Sequence, residues 1–183
     1  MVSLNFSSVP QRFFVGKRAL LDHDAMMKFF DTAFADAAAV MAAAEADLGA
    51  SASYYFPAAA ELFDVFSGFE IPEHKLDDVL DKAATVDVEV YEFTPGEVAS
   101  WTYEGSYDGL GQAWEEFQQA VSQHFAKNGA STPQHRLSWE NYVSMPTEDN
   151  PEAPTLTELN WALDETNPQK VSADSPEVEA AGD

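Results

Sequence analysis

Val98-Ala99-Ser100-Trp101-Thr102-Tyr103-Glu104-Gly105-Ser106-Tyr107 is the stretch on which the reading of this chain turns. Val98, Ser100 and Thr102 alternate with Ala99, Trp101 and Tyr103, the period of two that a strand imposes on its faces. Gly105-Ser106-Tyr107 breaks the alternation. The apolar positions that follow are Leu110, Trp114, Phe117, Val121 and His124/Phe125, spaced by threes and fours as one face of a helix that Asn128-Gly129 closes. Leu137 to Met145, ended by Pro146, and Thr155 to Leu163 then read as two more strands. Before the quoted stretch, Val86, Val88 and Val90 alternate with Asp87, Glu89 and Tyr91, and Thr94-Pro95-Gly96-Glu97 is a turn signal.

The same order occurs upstream. Phe6 to Leu21 reads as an extended pair, or as one strand entered through a turn, with Pro10 at the edge. Met26, Phe30, Phe34, Ala37, Met41, Ala44 and Leu48 define a helix that Asp22 or Asp24 can cap and Gly49 can end. Ser53 to Phe56 and Leu62 to Ile71 read as strands, and Gly68 predicts a bulge or a close backbone approach. Glu73 to Lys82 is polar, a short helix or a connection. Both long helices run into Gly-Ala-Ser, at Gly49-Ala50-Ser51 and Gly129-Ala130-Ser131. The matching order points to an internal duplication with a repeat near ~80 residues, in halves spanning about 4–72 and 86–163. The expected fold is α+β: duplicated βαββ units forming a mostly antiparallel sheet, two long helices on one face, and a pocket in the groove between the halves. From Asp164 onward the chain turns polar and acidic, and 164–183 reads as a disordered tail.

Composition narrows the chemistry. The 183 residues hold 9 Lys and Arg against 32 Asp and Glu, a net charge of −23. Such a surface repels phosphate backbones and anionic headgroups, so direct binding to nucleic acid or membrane is not expected. It serves solubility in a salty medium, or attracts a cationic ligand or basic protein partner. There is no cysteine, which removes thiol nucleophiles, disulfides and Cys-ligated metals. Met1 to Ser8 lacks a signal-peptide pattern and Ala33 to Ala50 is too short and polar to span a bilayer, so a cytoplasmic location is expected. His23, His74, His124 and His135 show no metal-pair spacing, and neither a phosphate loop nor a dinucleotide fingerprint occurs. No metal or cofactor is expected.

Several of these segments together resemble a known family. Val98 to Tyr107 with Leu110 and Ala113-Trp114, Trp139-Glu140-Asn141-Tyr142 with Met145-Pro146, and Thr157-Glu158-Leu159-Asn160-Trp161 resemble signature strands of GyrI-like, or AraC-type effector-binding, small-molecule domains. Val9-Pro10 and Val15-Gly16-Lys17-Arg18 match in the first half, so the resemblance covers roughly 4–163. It implies a duplicated fold with an aromatic-lined pocket for organic molecules, often hydrophobic cations, and an acidic residue matching Glu140 that faces the ligand. Some members are sensor halves of transcription regulators, some stand alone, some hydrolyse cyclopropane-bearing alkylating natural products, and one branch inhibits DNA gyrase. With no helix-turn-helix before Val9 and no basic patch, a DNA-binding regulator is not expected.

Glu140 is the leading candidate. It shares a strand face with Tyr142, and among aromatic rings a carboxylate is partly desolvated and pairs strongly with a cation; the plain alternative is a solvated glutamate on an exposed face. Trp101 and Tyr103 line the same pocket or pack ordinarily. Tyr107 points its hydroxyl inward or caps local backbone. Tyr55 lies on the first-half strand equivalent to that of Glu140. Glu158 is a second pocket carboxylate or an edge charge. Trp114, Phe117 and Val121 read as core. The resulting function is binding of a hydrophobic organic cation, for multidrug-type sensing or sequestration. Two alternatives stand beside it: a hydrolase in which Glu140 activates water, with Glu158 or Tyr103 as acid, and an acidic inhibitor of a nucleic-acid enzyme such as gyrase. The oligomeric state stays open, because free sheet edges can pair between chains.

Overall fold

The computed structural model describes residues 2–59, 61–134, 136–166 and 168–173. The strands are β1 (Asn5–Val9), β2 (Arg12–Leu21), β3 (Ser51–Phe56), β4 (Phe63–Glu70), β5 (Glu89–Phe93), β6 (Gly96–Glu104), β7 (Ser138–Ser144), β8 (Leu156–Ala162) and β9 (Gln169–Val171). The helices are α1 (His23–Ala43), α2 (Leu76–Ala83) and α3 (Leu110–Lys127), with short 3-10 turns before α2 and α3. All nine strands join one antiparallel sheet in the order β1-β6-β8-β7-β3-β4-β2-β5-β9. The expected fold class is the observed one, and β3 and β7 meet at the seam between halves.

The two proline turns do not close hairpins. β1 pairs with β6 and β2 with β5, so each half lends its first strand to the other. Asn5 faces Ser100, Val9 faces Gly96, Arg12 faces Phe93 and Gly16 faces Glu89. This is one unbroken register, in which Pro10 stands opposite Pro95. Neither proline has an N–H to donate, so the ladder opens at that point and resumes beyond it. The result is a crossed ribbon that ties β1–β2 to β5–β6 and draws the two ends of the sheet together.

Asp22 caps α1 by accepting a hydrogen bond from the Ala25 amide at 3.0 Å, as its short carboxylate at an N-cap should. The helix ends at Ala44 rather than Gly49. Glu45 takes a left-handed conformation at φ 52°, and its amide bonds Ala42 O while the Ala46 amide bonds Met41 O. α3 ends identically: Gly129 sits at φ 69°, with Gly129 N to Ala126 O and Ala130 N to Phe125 O. Both are Schellman motifs. The structural counterpart of Gly129 is therefore Glu45, and the matching Gly-Ala-Ser triplets are not equivalent. Leu48, expected on the helix stripe, lies beyond the helix and is 54% exposed.

Gly16 and Gly68 face each other between β2 and β4. A Cβ on Gly68 would lie 1.9 Å from Val15 O, and one on Gly16 2.0 Å from Ser67 O, so the glycine marks a close approach and not a bulge. The inner face of the curled sheet carries an aromatic core: Phe14, Tyr54, Phe66, Tyr91, Phe93 and Trp139. The outer face is covered by α1 and α2 on one side, through Ala37, Val40, Met41, Val79 and Leu80 over Val15 and Val90. α3 covers the other side through Ala113, Phe117 and Val121 over Ala99 and Leu159. The segment read as the start of a tail carries β9, paired with β5, so order continues past residue 164; residues 174–183 and His135 lie outside the described residues. No helix among the described residues is long and apolar enough to cross a membrane.

Candidate functional site

Strand pairing places Glu140 opposite Ser53 on one side and Leu159 on the other. Ser53 pairs with Ser67, and Leu159 with Trp101. This row lies on the outer face, on the floor of the seam between α1 and α3. Glu140 is 4% exposed. Its Oε1 accepts a hydrogen bond from Trp114 Nε1 at 2.7 Å. Its Oε2 accepts from the Tyr142 hydroxyl at 2.7 Å and the Tyr55 hydroxyl at 3.2 Å. Tyr142 Oη also lies 2.9 Å from Ser53 Oγ, which shares a 2.7 Å hydrogen bond with Ser67 Oγ. A buried run of hydroxyls thus leads from β4 across β3 to the carboxylate.

No Lys or Arg pairs with Glu140 among the described residues. Burial pushes its pKa above the ordinary carboxylate value, and the Trp114, Tyr142 and Tyr55 donors hold it back. Burial first, and the Glu140 charge second, push the Tyr55 and Tyr142 hydroxyls well above the usual phenol range. Both remain neutral donors at physiological pH. Aromatic rings line the seam: Phe34 of α1 meets Tyr142 edge-on at 5.9 Å, and Tyr107 meets it from the α3 side at 6.0 Å. Tyr107 is exposed at the mouth, and burial with the nearby Glu140 raises its pKa too.

Of the residues singled out in the sequence, Glu140, Tyr142, Tyr55 and Tyr107 come together. Trp101 stands in the Glu140 row but beyond Leu159, in edge contact with Tyr103 at 6.0 Å. Tyr103 turns its hydroxyl away, donating to Ser106 O at 3.2 Å, and packs into the space over Gly105 and Gly109. Glu158 is not a second carboxylate in the seam. Leu159 is the residue paired with Glu140, so its neighbour Glu158 points to the opposite face. There it accepts hydrogen bonds from Asn141 and Asn160 Nδ2 at 2.9 and 3.2 Å. That removes the carboxylate pair on which the hydrolase alternative drew. Trp114, read as core, proves to be a direct partner of Glu140; the signal was an indole N–H on a buried stripe, which requires an acceptor. Ser53 and Ser67 carried no sequence signal, since small hydroxyls on a strand pack as readily as they relay.

Trp114, Tyr142 and Tyr55 cover the carboxylate, which is buried beneath them. Surface grooves of about 420 and 310 Å³ lie elsewhere, one between α1 and the 84–88 segment, the other beside Arg12, Glu70 and Pro72. No cluster of three or more His, Asp or Glu among the described residues is arranged to hold a metal.

No protein-family model and no curated protein matches the chain. Solved structures do. SAV2435 bound to tetraphenylphosphonium superposes with a TM-score of 0.62 at 12% identity, covering 88% of this chain and 94% of that one. EcmrR in its complex with DNA gives 0.60 at 16% identity; the match takes in 90% of this chain but spans only 58% of EcmrR. A hydrolase from Listeria innocua gives 0.56 at 14% identity, covering 87% and 90%. At these identities the likeness is one of fold, and that fold is the duplicated sheet with its paired helices.

Proposed function

We propose that the chain is a small-molecule-binding protein of the GyrI-like kind, taking a hydrophobic organic cation into the seam between α1 and α3 for sensing or sequestration. The observation that carries this is Glu140: a buried carboxylate with three neutral donors and, among the described residues, no cationic partner. In a low-dielectric site, attraction to a cation is far stronger than in water. The rings of Tyr55, Tyr142, Trp114 and Phe34 add cation–π attraction of roughly 0.5–2 kcal/mol for each well-placed face. The neighbour that holds tetraphenylphosphonium supplies a probe of this type. Entry requires Trp114 and Tyr142 to swing off the carboxylate, which makes Trp114 a fluorescent reporter.

The test is a titration with tetraphenylphosphonium beside neutral triphenylphosphine oxide, followed by tryptophan fluorescence. Saturable binding of the cation is expected, weakened at least about tenfold, or 1.4 kcal/mol, in Glu140→Gln. Equal affinity in the variant, with the fold intact, would remove Glu140 as the counter-charge.

A further inference from the structure

Three of the buried side-chain polar atoms that make no hydrogen bond gather on the inner face of the sheet: Arg12 Nε, Tyr54 Oη and Trp139 Nε1. Tyr54 is 0% and Trp139 2% exposed. Their rings stack with centroids 5.4 Å apart. The Arg12 guanidinium carbon lies 5.4 Å from the Trp139 ring centre, 6.0 Å from that of Tyr54 and 5.7 Å from that of Phe14. The crossed ribbon makes this meeting possible, because it brings the start of β2 over the middle strands. The other two arginines each bond a carboxylate, Arg18 with Asp64 and Arg136 with Glu165. Arg12 has no carboxylate within salt-bridge distance among the described residues, although the chain holds 32 acidic side chains.

We propose that the interior of the curled sheet is a binding site for a small monovalent anion of halide size, held by Arg12 Nε–H, Tyr54 O–H and Trp139 Nε1–H. An indole and a guanidinium can only donate. The Tyr54 hydroxyl oxygen faces the Arg12 guanidinium and lies within its electrostatic reach, but its own O–H, the Trp139 N–H and the Arg12 Nε–H still lack an acceptor; a halide accepts from all three and neutralises the guanidinium. Phe14, Phe66 and Phe93 complete the wall and offer no acceptor. Cation–π contact with three rings offsets part of the cost of burying Arg12 but leaves its N–H unbonded. Arg12 also borders the 310 Å³ groove, whose lining includes Glu70 and Glu73. These carboxylates oppose a divalent or bulky anion more strongly than a small monovalent one.

The test is urea unfolding of the full chain at constant ionic strength, with sodium chloride or bromide replacing sodium gluconate. An anion bound only by the folded state lowers the unfolding constant about tenfold for each tenfold rise in halide above its dissociation constant. Bromide should also quench tryptophan fluorescence saturably. Tyr54→Phe keeps the ring and removes one donor; in gluconate it should be at least as stable as the parent, and its halide response should shrink several-fold. Arg12→Met should lose the response. Equal halide dependence in parent and both variants, or none in the parent, overturns the proposal.

Discussion

Glu140 sits where burial and hydrogen bonding oppose each other, and the direction of the balance has a measurable consequence. Its folded pKa lies above the ordinary 4.5. Below that value the carboxyl is protonated in both folded and unfolded chains. As the pH rises, the unfolded chain releases its proton first, so this residue's contribution to stability falls until the folded carboxyl ionises too. The stability difference between parent and Glu140→Gln should therefore shift against the parent as pH rises from 4.5 through that window, as read by denaturant titration at each pH. Cation affinity should rise over the same window. The strand pattern puts Glu140 and Tyr142 on one face but leaves a solvated glutamate equally open; it is the resemblance to effector-binding domains that singles Glu140 out, and the structure buries it beside Tyr142. Glu158 was not legible, because its face depends on which residue of β8 pairs with Glu140, and a one-residue change of register reverses it. Trp114 was hidden by its own helix: a stripe position says that a side chain is buried, not what its N–H meets.

The elements themselves were readable, and their ends and partners less so. The apolar stripe marks α1 as far as Ala44, but the glycine that follows it at Gly49 is not its stop. The chain stops instead at Glu45, a residue with a Cβ in the left-handed region, at a cost of roughly 1–2 kcal/mol. Glu45→Gly should raise unfolding free energy by about 0.5–1 kcal/mol after the greater freedom of glycine in the unfolded chain is counted; Gly129→Ala should lower it by a similar amount. Denaturant midpoints at a fixed slope would decide both. Gly68 supports the opposite prediction. A methyl there would run into the Val15 carbonyl, a backbone atom that cannot turn aside, so Gly68→Ala should cost at least about 3 kcal/mol or prevent folding. Pro10 and Pro95 mark the turns between β1 and β2 and between β5 and β6. That they face one another across a broken ladder could not be read, since local sequence marks a strand without naming its neighbour.

At the scale of the molecule, the exchange of first strands between halves decides what can fold alone. Without β6, β1 has no partner, and without β5, β2 loses one side of its ladder. The inner aromatic core also draws on both halves, with Phe14 and Tyr54 from one and Phe93 and Trp139 from the other. Chains cut in the exposed stretch at Thr85 should therefore be unfolded singly and associate when mixed, recovering the sheet signal in circular dichroism and a single peak of full mass in gel filtration. A half that folded cooperatively by itself would contradict this account.

The crossed ribbon also joins the two halves as exchanged arms join the subunits of a swapped dimer. A lone half with such an arm would need a second copy to receive it, and the pair would be a swapped homodimer. Within one chain the same exchange binds half to half rather than molecule to molecule. Two identical halves would carry the same residue on both seam-facing strands; here the strands differ, and Glu140 stands opposite Ser53.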